Sequence, residues 1–300
     1  MHLLNKLIFL LNTCCIMFVA DCLFPFECFS DSPHPSKQIY KISRHLQYSF
    51  SLKNKTNKIV RNVHFWVYAP VKQTPSQRCD KLESSLTHET IIDEYNNQIL
   101  HYVIDIFAPY ASKVITIDAY LKLSDYPNAI LEKNINEYLI PEKYIETDNP
   151  AIINTAQQLK KNMPVETVQS ISQWIVDNLK CPGYILNERG ALYALNFKQG
   201  DCTEYMYLFA ALSRANGIPT RCLGGYVCSQ NEILKFSRYH NWAEFYHEGT
   251  WRLADPHKNT IMKNQSYYIA FKILKNSHLN PISDYSRFHV QGSGISAVMN

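Results

Sequence analysis

Glycine is scarce in this 300-residue chain: 9 residues, against 20 tyrosines and 14 phenylalanines. No glycine-rich loop is present that could cradle a phosphate, which removes the commonest nucleotide-binding device. There is no CxxC or HxxxH, so no spacing reads as a zinc site. The formal net charge is only +4 and no basic run stands out, which argues against a nucleic-acid partner. No internal repeat is found. What remains is an ordinary globular composition, 46% hydrophobic and 19% charged, long enough for two domains and rich in the aromatics that suit β-structure.

The N-terminus carries the first positive signal. Leu7 to Ala20 is apolar apart from Asn12 and Thr13, and follows a short segment bearing Lys6. Residues 1–20 are therefore expected to be a signal peptide, being too short for a comfortable membrane span. An uncleaved anchor is one alternative. A lipoprotein leader is another, through Val19-Ala20-Asp21-Cys22, although Asp21 fits that motif poorly. The expected location is outside the cytoplasm, periplasmic or secreted, with membrane contact only through the leader. Removing the leader discards Cys14 and Cys15 and leaves seven cysteines. If one of these is a working thiol, an even set remains that an oxidising compartment could pair, in connectivities left open.

The remainder reads as α+β. Residues 21–39 are a proline- and serine-bearing linker. Residues 40–125 alternate apolar and polar positions, as in Leu46, Tyr48, Phe50 and Leu52, and predict a β-sandwich. Its histidines, His64, His88 and His101, are expected to be surface or packed residues. Residues 126–149 are read as a second linker, and residues 150–300 as a catalytic domain. Within that domain Asn149-Pro150 and Pro164 open helices. Tyr184 to Gln199 connects, and strands follow at 220–228, 239–246, 250–254, 267–273 and 287–291.

Chemistry converges on Gly200-Asp201-Cys202-Thr203-Glu204. Tyr205, Leu208, Phe209, Leu212 and Ala215 continue at helical spacing until Gly217 and Pro219 stop the segment. A cysteine in the first turn of a helix feels the positive end of the macrodipole, which favours thiolate over thiol. A buried structural cysteine is the competing reading, and the decision rests on a base and an acid downstream. Taking Glu248-Gly249 as a two-residue hairpin loop pairs His247 with Thr250. That register sets His240 and Asp255 on one face, diagonally related and within hydrogen-bond reach. A thiolate attacking a carbonyl, a histidine moving the proton and a carboxylate fixing the imidazole form a working nucleophilic set. The backbone N–H of Cys202 is a natural oxyanion donor, with Gln199, Asn187 or Tyr184 as possible second donors. Glu244 is a candidate supporting carboxylate and Trp242 a screen for the imidazolium. Glu204, Arg214 and Arg221 are expected to be structural, Trp174 a core anchor, and His247 and His257 solvated turn residues.

The run from Gly200 to Arg221, then Gly224-Gly225-Tyr226, His240-Asn241-Trp242-Ala243-Glu244-Phe245 and Trp251 to Pro256, closely resembles the core of the transglutaminase-like superfamily over about Ala151 to His257. The β-rich N-terminal region is similar, more weakly, to one that precedes this core in some bacterial members. The resemblance implies a papain-like core with Cys202 as nucleophile, His240 as base and Asp255 as orienter. It implies no cofactor and no metal, and a peptide or protein substrate. It leaves the reaction open. Cysteine-dependent hydrolysis of an amide or peptide bond is expected, acyl transfer to an amine is the same-chemistry alternative, and a non-catalytic scaffold retaining the fold is the alternative from another class.

Overall fold

Strand β1 (Ile42–Asn54) shows the rule that builds the N-terminal half: Leu46, Tyr48, Phe50 and Leu52 point inward and the residues between them are only partly covered. A period of two places one face of a strand in a core, and each such side chain contributes about 1.5–3 kcal/mol when fully buried. The computed structural model describes residues 39–130, 132, 134–184, 187–275, 277–282 and 286–300. The expected signal peptide and the 21–38 part of the expected linker lie outside the described residues.

Further strands are β2 (Val60–Ala69), β3 (Gln77–Ser84), β4 (Glu89–Ile92), β5 (Gln98–Phe107) and β6 (Ser112–Leu123). Helices α1 (Pro150–Leu159), α2 (Pro164–Asn178), α3 (Ala191–Phe197) and α4 (Cys202–Ala215) come next. The chain continues through β7 (Thr220–Val227), β8 (Glu232–Ile233), β9 (Tyr239–His247), β10 (Thr250–Asp255), β11 (Thr260–Ile261) and β12 (Tyr268–Ile273). It closes with β13 (Phe288–Gln291) and β14 (Ile295–Met299). One sheet runs β14-β1-β6-β3 with β8 also on β1, and a second runs β13-β2-β5-β4. Their inner faces share a core containing Tyr48, Phe65, Tyr102 and Ile117. The third sheet, β11-β10-β9-β7-β12, carries the helices. The fold is α+β, with a strand-rich N-terminal region and a helix-on-sheet core.

Three expectations need correction. Residues 150–300 do not form a self-contained domain, because β13 pairs with β2 and β14 with β1, completing the N-terminal sheets. The edges of those sheets carry unpaired backbone groups, and the returning C-terminal strands satisfy them. Residues 126–149 are not a free linker either: Tyr138 and Ile145 are buried. The segment from Tyr184 to Gln199 contains α3, whose seven residues are too few to show a helical period.

Helix α4 is the central element of the core. Every residue from Thr203 to Arg214 is buried, with α1, α2 and α3 around it and Ala243 and Phe245 of β9 beneath it. A helix apolar on nearly all sides is one surrounded on all sides.

Candidate active site

Cys202 is the first residue of α4, and the sequence around it forms a complete capping box. The Asp201 carboxylate accepts from the Thr203 N–H at 2.8 Å, and the Glu204 carboxylate accepts from the Asp201 N–H at 3.1 Å. Two of the orphan donors at the helix start are thereby satisfied. Glu204 also accepts from the Arg189 N–H at 3.0 Å, which pins the preceding loop to the helix. Gly200 has no side chain for a packing reason, since a Cβ there would come within 2.3 Å of the Glu204 Cβ. The expected structural role of Glu204 is this cap.

The β9–β10 hairpin has the register read from its turn. Glu248 (φ 50°) and Gly249 (φ 74°) form the two-residue loop, and His247 pairs with Thr250. His240 and Asp255 fall on the same face, and His240 Nε2 lies 2.7 Å from Asp255 Oδ2. Both are buried, with 7% and 1% exposure. Asp255 takes two further hydrogen bonds, from the Tyr268 hydroxyl at 2.9 Å and from the Lys258 N–H at 3.2 Å. A carboxylate with three donors in a dry site is held in position and compensated for its lost water. With Nε2 engaged by Asp255, Nδ1 is the imidazole nitrogen left for a substrate or a thiol. Trp242 stacks beside His240, with centroids 6.4 Å apart and planes 20° from parallel.

Thr203, the neighbour of Cys202, accepts a hydrogen bond from Asn241 Nδ2 at 3.0 Å, and Asn241 is the neighbour of His240. This contact joins the Cys202 segment to the histidine strand. Among the described residues no hydrogen bond runs directly between Cys202 and His240. Gly224 and Gly225 of β7 make room for the assembly: a Cβ at Gly224 would lie 2.2 Å from the Tyr239 hydroxyl, and one at Gly225 would lie 2.1 Å from the Ile269 carbonyl.

The pull of the helix start toward thiolate is opposed by burial. Burial first, and then the Asp201 charge, push the Cys202 thiol up to about 11, against lowering by the Asn241 and Thr203 hydrogen bonds. Desolvation of a thiolate outweighs half a unit of dipole charge here. With its pKa raised, Cys202 holds its proton at neutral pH, and attack by its sulfur would call for a base.

Residues 153–256 match the profile described as the transglutaminase-like superfamily. The segment is a transglutaminase-like core. A candidate cysteine protease from Cytophaga hutchinsonii has a similar structure, at TM-score 0.56 and 14% identity, covering 86% of this chain and 92% of that one. The periplasmic domain of TgpA from Pseudomonas aeruginosa, solved with ethylmercury bound, is more distant, at TM-score 0.40 and 14% identity over 71% of this chain and 90% of that one. No curated protein matches the sequence.

Around the transglutaminase-like core, the other singled-out residues take definite places. Glu244 shares a face with His240 and is buried, but its carboxylate is bound by Arg221, at 2.7 Å and 2.9 Å, so it is half of an ion pair and not a support for the imidazole. Arg214 donates to the Thr220 and Ile140 carbonyls and to Glu142. Trp174 packs on the helical core with the Lys198 ammonium 4.1 Å from its ring centre. His257 is no solvated turn residue: its ring lies 5.6 Å from that of His240 and edge-on to Tyr205, and its Nε2 is 3.4 Å from Cys181 Sγ. Burial, and then the nearby His240, lower its pKa. His247 remains at the hairpin turn near Glu248. In the sandwich, His64 Nδ1 lies 2.9 Å from His101 Nε2, and His88 packs against Tyr102.

Of the second oxyanion donors considered, Gln199 gives its amide to the Tyr193 hydroxyl at 2.6 Å, whereas Asn187 and Tyr184 line the cavity beside Cys202. Asn241 and Tyr268 were not legible as site residues. Asn241 carries no chemistry by itself, and Tyr268 lies on a strand that meets Asp255 only in the folded sheet. Cys79, Cys181, Cys202, Cys222 and Cys228 are free thiols, while Cys22 and Cys28 lie outside the described residues. Among the described residues no group of three or more His, Cys, Asp or Glu is arranged to hold a metal ion. No described helix is long and apolar enough to cross a membrane.

Proposed function

We propose that this chain is an exported cysteine-dependent amide or peptide hydrolase working through Cys202, His240 and Asp255. The observation that carries the reading is the buried 2.7 Å contact between His240 and Asp255, on the strand whose Asn241 is bound to the Cys202 segment. A buried, triply bonded carboxylate behind an imidazole is the arrangement that fixes a tautomer and stabilises an imidazolium.

The steps follow from the neutral thiol. As a substrate carbonyl approaches, His240 Nδ1 takes the proton from Cys202 Sγ, and the sulfur bonds to the carbonyl carbon. The Cys202 N–H, at the start of α4, supplies a donor for the oxyanion. Collapse breaks the C–N bond, and His240 gives its proton to the departing amine. The acyl-thioester left on Cys202 is cleared by water, which His240 deprotonates in turn, restoring the thiol and releasing a carboxylic acid. Asp255 keeps its charge throughout and holds the imidazolium.

A glutamine-containing peptide incubated with a labelled primary amine tests the acceptor. Release of ammonia or a new carboxylate without label supports hydrolysis, and incorporation of the label overturns it in favour of acyl transfer. Neither product, together with a Cys202 thiol whose alkylation is indifferent to His240→Ala, leaves a scaffold. Export is tested separately, by the fraction in which the full-length chain is recovered and by N-terminal sequencing of the mature protein.

A further inference from the structure

The cavity beside Cys202 has a volume of about 670 Å³, and Cys202, Asn241, Glu188, Lys272 and Arg287 all line it. Its charged groups differ in what they have left to give. Asp201 is spent on capping α4. Glu188 accepts from the Tyr207 hydroxyl at 3.0 Å, and burial raises its pKa. Arg287, just before β13, is held on three sides. Its guanidinium lies 4.0 Å from the Phe236 ring centre and 4.1 Å from the Tyr239 ring centre. Its Nη1 donates to the Phe236 carbonyl at 2.8 Å, and its own carbonyl accepts from the Tyr68 N–H. No described carboxylate forms an ion pair with it. Lys272 of β12, only 3% exposed, has its ammonium 4.9 Å from the ring centre of the same Tyr68.

A guanidinium clamped between two rings is already ordered and weakly hydrated, and its planar fork matches a carboxylate. The low-dielectric walls of the cavity strengthen the field of such a charge. We propose that the Cys202 cavity recognises an anionic peptide substrate, with Arg287 binding a peptide carboxylate. The inference rests on the reading that Cys202 attacks a peptide carbonyl. It adds that this peptide carries a negative group, on an acidic side chain or at a free C-terminus.

Calorimetric titration of the full chain carrying Cys202→Ala tests it with three probes. N-acetylglutamate α-amide carries the side-chain carboxylate, N-acetylglutamine the terminal one, and N-acetylglutamine amide neither. The expected result is that at least one acid binds about tenfold more tightly than the neutral amide, the ratio one charge-assisted hydrogen bond supports. The preference is expected to disappear in Arg287→Gln and to survive largely in Arg287→Lys. Equal binding of the three probes, no binding of any, or a preference untouched by Arg287→Gln overturns the proposal. The three-probe comparison needs no Arg287 variant to fold. Peptide turnover by the unmodified chain is scored separately. Turnover without an acidic preference removes the subsite and keeps the hydrolase, and a preference without turnover does the reverse.

Discussion

Asn241 donates from Nδ2 to Thr203 Oγ1 at 3.0 Å, so the residue after the proposed base is bonded to the residue after the proposed nucleophile. This single contact spans helix α4 and strand β9, which otherwise meet through apolar packing by Ala243 and Phe245. Apolar contacts set the distance between the two elements but tolerate sliding; a directional hydrogen bond does not. Asn241→Ala is expected to cost about 1 kcal/mol in stability. It should lower kcat by about 10- to 100-fold through misplacement of the reacting groups. Peptide-cleavage kinetics with a parallel denaturant melt check both, and a kcat that follows the stability loss alone would remove the positioning role.

Asp255 is expected to be indispensable to turnover and not merely to folding. In Asp255→Asn the shape survives, but the amide no longer supplies a charge to hold the imidazolium. Loss of kcat by about 10²- to 10⁴-fold is expected. Tyr268→Phe removes only one of the three donors to the carboxylate and should have a smaller effect. An Asp255→Asn variant as active as the parent chain would take the carboxylate out of the mechanism.

The neutral resting thiol makes a pH prediction. Cys202 holds its proton to about 11, above the ordinary thiol value of 9.0. In His240→Ala, iodoacetamide labelling of Cys202, located by peptide mass mapping, should keep rising past pH 9.0 with no plateau there. A plateau at neutral pH would show a preformed thiolate. The same groups tie stability to pH. Cys79, pushed up mainly by burial to about 11, and Cys222, pushed up by burial to about 12, also keep protons that the unfolded chain gives up near 9.0. Their raised values therefore contribute stability that is fully present below that pH and is lost as pH climbs through 11 to 12. Cys222→Ala should flatten the alkaline part of a stability–pH curve while lowering its level.

Arg221 and Glu244 form a buried pair, and the Arg221 guanidinium also lies 4.4 Å from the Trp251 ring centre. Removing one partner strands the other charge away from water. Arg221→Met is expected to cost about 3–5 kcal/mol, whereas Arg221→Met with Glu244→Leu should recover much of that. Chemical denaturation of the two variants decides it, and equal losses in both would show that the charges are not coupled.

Local patterns carried much of the core. The capping residues Asp201 and Glu204, the helix that ends before Gly217, and the Glu248-Gly249 turn all act within a few residues, so their geometry is written locally. The turn also sets which way His240 and Asp255 face, because side chains alternate with a period of two and a two-residue loop leaves one register. The weak points lay where neighbours in space are distant in sequence. The pairing of β13 and β14 with the N-terminal sheets joins residues far apart along the chain. The charge state of Cys202 depends on how deeply α4 is buried and on Asp201, and burial opposes and exceeds the pull of the helix dipole. His257 looked like a turn residue because nothing in its flanks foretells Tyr205 and His240 around it.

By itself, then, the sequence determined the order and local shape of the chemical parts: a capped helix starting at Cys202, and a hairpin presenting His240 and Asp255 together. These follow from hydrogen-bond capping, turn stereochemistry and alternation, all short-range. Only the tertiary structure decided what surrounds them: a thiol kept neutral by desolvation, a carboxylate wedged by Tyr268, and Lys272 and Arg287 brought to the same cavity. Burial and electrostatics depend on the whole packed assembly, and no window of the chain contains that information.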